Sequence, residues 1–89
     1  MNNWIRPSVS NNAFEFLLTD LDIALTFIDV AESTDNIATR QRNHANAHRA
    51  YDTVVRFMQN LSLDDTQRKE LAKRLAFVKS RLQKVGQQF

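Results

Sequence analysis

Between Pro7 and Gly86 the chain contains neither proline nor glycine. That absence, more than any motif, limits what it can fold into. Tight hairpins and compact β-folds depend on Gly, Pro and Asn-Gly turns to reverse direction. Long stretches without such breaks suit helices instead. A length of 89 residues is enough for one small domain.

The apolar spacing agrees. Phe14, Leu17, Leu18, Leu21, Ala24, Leu25 and Ile28 recur at threes and fours, the pattern of one buried helix face. Ser10 is placed to cap this helix, with Val9 and Phe14 as a hydrophobic staple, and Asn12 with Glu15 is a second cap. In the segment ESTDN, Asp35 is the expected cap of a second helix, which carries Ile37, Tyr51, Val54, Val55, Met58 and Leu61. Ser62 with Asp65 three residues on reads as a capping box. It opens a third helix with the seam Leu71, Leu75, Val78, Leu82 and Val85, stopped by Gly86. The sequence thus predicts an all-α, antiparallel up-down-up three-helix bundle with helices at about 11–33, 36–60 and 63–85. An N-terminal arm (1–9) and a short tail (86–89) flank a single domain.

Charge is segregated along the chain. Through Asn36 there are six acids against one base, Arg6, and from Ile37 onward eleven Arg and Lys against four acids. Glu15, Asp22 and Asp29 recur every seven residues, as do Arg42, Arg49 and Arg56. An antiparallel hairpin could pair 29 with 42, 22 with 49 and 15 with 56. The helical phase points these arginines away from the second helix's apolar face, so a solvated basic stripe is the alternative.

Helix 1 carries a second apolar line that a bundle does not obviously need. Phe16, Ile23 and Val30 lie seven apart, roughly 160° round from the Phe14–Leu21–Ile28 line. Phe27 widens it, leaving only a narrow polar strip. Three covers are open: the arm folding back with Trp4 and Ile5, burial of helix 1 between its neighbours, or another protein, including a second copy.

In helix 2, His44 and His48 stand four apart on the inward side or at the core's edge. A zinc site needs three or four ligands, and the pair has no clear others, although Asp52, Asp29 or Glu32 could approach. The di-iron pattern of Glu-x-x-His pairs is missing. The histidines are therefore expected to be structural, with His44 and His48 only weak metal candidates, and no cofactor is expected.

Function classes separate on these features. No Gly-rich phosphate loop, Cys nucleophile or Ser-His-Asp arrangement is visible, so an enzyme is not expected. With no Cys there is no disulfide framework, which fits a reducing compartment. No apolar run approaches the ~18 residues of a membrane span, and the opening MNNWIRPSVS lacks signal-peptide order. Asn60-Leu61-Ser62 matches a glycosylation sequon, read as coincidence in a chain expected to be cytoplasmic. The leading expectation is an interaction module, a homodimer or a dock for another protein, using Phe16, Ile23, Phe27 and Val30. The alternative is nucleic-acid binding through Arg42, Arg49, Arg56, Lys73 and Arg81, suggested by a sequence pI near 9.4 and disfavoured by the acids of helix 1.

Overall fold

A computed structural model describes the backbone of residues 5–89 and the side chains of residues 12–89. Three helices follow in order, α1 (Ile5–Ser33), α2 (Ile37–Met58) and α3 (Asp65–Lys84), with no strand among the described residues. They form the three-helix bundle that the apolar periodicity predicts. Its core is Leu17, Leu21, Ala24 and Ile28 from α1, Ala47 and Val54 from α2, and Leu71, Leu75, Val78 and Leu82 from α3. Each fully buried Leu, Ile or Val stabilises by roughly 1.5–3 kcal/mol.

α1 packs most extensively on α2. Ala24, Ala31 and Ala47 are wholly buried. Side chains that small let neighbouring backbones approach closely, which explains how the alanine-rich half of α2 holds its place with so few large apolar groups. Leu63, in the α2–α3 loop, is also buried and plugs the core from one end.

The helix ends correct several expectations. The described helix α1 already runs from Ile5, not from near residue 11, so Ser10 and Asn12 lie inside it and residues 5–9 are helical. The proposed cover by Trp4 and the side chain of Ile5 lies outside the described residues. The cap of α2 is Asn36, not Asp35: its Oδ1 accepts from the Thr39 N–H at 2.8 Å. Asp and Asn cap equally well, so composition alone does not choose between neighbours. The box on α3 is likewise shifted from Ser62/Asp65 to Asp64/Gln67. There Asp64 Oδ1 accepts from the Gln67 N–H at 2.7 Å, and Gln67 Oε1 accepts from the Asp64 N–H at 3.1 Å.

Gly86 does stop α3. At φ 94° it occupies the left-handed region, with Gly86 N–H bonded to Gln83 O at 3.1 Å and Gln87 N–H to Leu82 O at 3.0 Å. That pair of bonds is a Schellman motif, and it turns the chain back toward α2. Two residues assigned to apolar seams are exposed instead, Ile37 at the first position of α2 and Val85 at the cap of α3. Both lie at helix ends, where neighbouring helices no longer cover them.

Of the two readings of the charge rows, the structure shows the solvated basic stripe. None of 29–42, 22–49 or 15–56 forms. Arg74 reaches Asp22 at 3.3 Å, while Arg81 reaches Asp29 at 3.1 Å and Glu32 at 2.8 Å. The 22–74 and 29–81 pairs share one sequence offset, as two parallel helices require, so the acidic line of α1 belongs to α3. Arg42, Arg49 and Arg56 of α2 are exposed and form no ion pair among the described residues.

Candidate protein interface on the first helix

The second apolar line of α1 stays at the surface. Phe16 is 63% exposed, Ile23 44% and Val30 42%. α2 and α3 cover the opposite side of α1, where Leu17, Leu21, Ala24 and Ile28 are buried. Phe27, expected with the surface line, is half-buried and packs against the core. It lines the α1–α2 groove beside Asp20, Asn46, Arg49, Ala50 and Thr53, and burial there pushes the Asp20 carboxyl above its ordinary value.

Phe16 does not stand alone. With Asn12, Ala13 and Leu17 of α1, Phe57 of α2 and Leu61 after it, it lines an open apolar groove of about 330 Å³. Phe57 is itself half-exposed. Sequence reasoning missed this residue because it counted Phe57 with neither the α2 seam nor any surface line. Its signal was an aromatic side chain one position away from the buried phase.

A second line runs beside the first. Thr19, Thr26 and Ser33 are exposed, and each hydroxyl donates to the carbonyl four residues back: Glu15 at 3.0 Å, Asp22 at 3.1 Å and Asp29 at 2.7 Å. These hydroxyls are satisfied within their own helix, so covering them strands no donor. The outward face of α1 therefore joins three apolar side chains to three internally bonded hydroxyls, with no charge on either line. Next to it runs the acidic row, where Asp22 and Asp29 already hold arginines from α3.

The histidines form a different kind of site. His44 is 7% exposed, and its buried Nε2 has no hydrogen-bond partner. Burial, helped by the charge of Arg40 and opposed by Glu32, holds its pKa below the ordinary value. His48 sits at the edge: Nδ1 lies 2.7 Å from Gln87 Oε1 and Nε2 lies 3.7 Å from Asp52. Its ring stacks on Phe89 at 4.2 Å, with Tyr51 edge-on to the same ring at 4.9 Å and the Lys79 ammonium 5.4 Å above it. The tail after Gly86 thus closes over the middle of α2. Among the described residues no three His, Asp or Glu gather as metal ligands.

The basic candidates are dispersed. Arg42, Arg49 and Arg56 are exposed along α2; Arg49 donates to Asn46 Oδ1 at 3.2 Å, and neither Arg42 nor Arg56 forms an ion pair among the described residues. Lys73 borders the α1–α3 groove. Arg81 is committed to Asp29 and Glu32. Arg74, which sequence reasoning did not single out, bridges Asp22 and Glu70, and its hydrogen bond holds the Glu70 carboxyl below the usual range.

No described helix is long and apolar enough to cross a membrane. No protein-family profile, no curated protein and no solved structure matches the chain. The reading of function therefore rests on the geometry of these surfaces.

Proposed function

We propose that this chain is a small, non-enzymatic, cytoplasmic interaction module that works through the outward face of α1. One observation carries the reading: Phe16, Ile23 and Val30 are all at least 42% exposed at heptad spacing along one helix, beside an apolar groove completed by Phe57. Aromatic and branched apolar side chains lined up in this way are typical of interface anchors. Scattered exposed apolar residues would need no such explanation.

The experiment is a quantitative capture from cell extract, comparing wild type with Ile23→Asp as bait. The reading expects partners whose recovery falls sharply in the variant while its helicity by circular dichroism is unchanged. Equal recovery by both baits, or an unfolded variant, counts against it.

Nucleic-acid binding remains the second reading, supported by the exposed Arg42–Arg49–Arg56 row, which forms no ion pair among the described residues. A titration with duplex and single-stranded oligonucleotides separates the two. Affinity that falls steeply with salt and is lost in Arg49→Ala favours the basic row; none favours α1.

A further inference from the structure

Resting on the interface reading above, we infer that the occupant of this face is a second copy of α1, laid against the first in the antiparallel sense. Phe16, Thr19, Ile23, Thr26, Val30 and Ser33 follow one another at steps of three, four, three, four and three. That is the cadence of a coiled-coil seam, with a large apolar residue at every first position and a small hydroxyl at every second. All six lie exposed on the face turned away from α2 and α3.

Size decides the direction. In a parallel pair each position meets itself, so large residues would stack on large ones and hydroxyls on hydroxyls, leaving alternate layers crowded and thin. In an antiparallel pair, first positions meet second positions. Phe16 then faces Ser33 of the second copy, Thr19 faces Val30, Ile23 faces Thr26, and the same pairs recur by symmetry. Every layer combines one large and one small side chain, which is how facing helices fill space evenly. The contact is also self-complementary, as a two-fold interface must be.

The polar groups are compatible with that burial. The three hydroxyls already donate within their own helix. Of the flanking acids Glu15, Asp22 and Asp29, two already hold arginines from α3, Asp22 on Arg74 and Asp29 on Arg81, so Glu15 alone meets the reversed copy without an ion pair among the described residues.

The chain has no cysteine, so introduced ones report without background. Phe16→Cys and Ser33→Cys chains are mixed and mildly oxidised, alongside each variant alone. The antiparallel seam expects a 16–33 disulfide in the mixture and little in either variant alone. Two copies of position 16 would then lie ~25 Å apart, far beyond disulfide reach. Light scattering across a concentration series should show a dimer, weakened about thirtyfold or more by Ile23→Asp at the centre of the seam. Thr26→Arg tests the same layer with a residue that contributes nothing to the core. Cross-linking of Phe16→Cys with itself overturns the direction. A monomer at every concentration overturns the second copy as occupant; in that case partner loss in the extract capture still decides whether α1 is an interface, so the two failures are distinguishable.

Discussion

Two regions of the bundle invert the usual relation between composition and closure. The region around the middle of α2 is poor in large apolar residues, yet it is covered. Ala31 and Ala47 are fully buried, His44 nearly so, and the tail lays Gln87 and Phe89 over His48 and Tyr51. The end that holds Phe16, Phe57 and Leu61 is rich in apolar surface, yet it is open as a groove. Small side chains permit close approach and directional contacts fix a geometry, whereas large apolar groups in excess of what the core can bury remain outside. The alanine-rich stretch of α2 is closed by fit, and the groove beside Phe16 and Phe57 is left available.

The strongest way to break this comparison is Ala47→Leu. If close approach holds that stretch together, overpacking there should cost about 1–3 kcal/mol, read as a lowered midpoint in urea unfolding. A neutral result would mean that region is loosely packed.

Acid tests the same region next. Folding lowers the pKa of His44, so the unfolded chain binds the proton more readily. Stability should therefore hold above the unfolded value of about 6.5 and decline as pH falls below it, by at most about 1.4 kcal/mol per pH unit. Arg40 reinforces the effect and Glu32, itself held by Arg81, opposes it. Melting temperatures between pH 7.5 and 5 check this, and His44→Met should flatten the profile. A wild-type profile that is already flat would remove His44 as the acid-sensitive element.

Phe89→Ala sharpens the role of the tail. Loss of the stacking on His48 and the edge contact with Tyr51 should cost about 0.5–1.5 kcal/mol and raise hydrogen exchange in the middle of α2. The smallest effect belongs to the open end. Phe16→Ser should leave the stability of the isolated bundle within about 0.5 kcal/mol, because its side chain is mostly in water already. A loss of several kcal/mol would place Phe16 in the core and close the distinction between the two regions.

Much of this was legible from residues alone. The scarcity of Gly and Pro, the apolar periodicity and the stop at Gly86 specify three helices, and the heptad line of α1 marks Phe16, Ile23 and Val30 as surplus to one buried face. Those signals are local: a helix's phase and its breakers are properties of adjacent residues. Cap identity was less legible, since Asp35 and Asn36, or Ser62 and Asp64, have nearly equal capping chemistry and only the path of the loop selects one.

Partner choice across helices was decided by the tertiary structure. The heptad arginines of α2 match the acids of α1 in spacing, yet Arg74 and Arg81 of α3 take Asp22 and Asp29 because the rotation of each helix about its axis, set by core packing, turns them that way. The same rotation buries His44 and brings Phe57 alongside Phe16. The sequence by itself determined that three helices form and which face of each is apolar. Which of those faces meet each other, and which one stays open, follows from packing among residues far apart in the chain, where no local pattern records the answer.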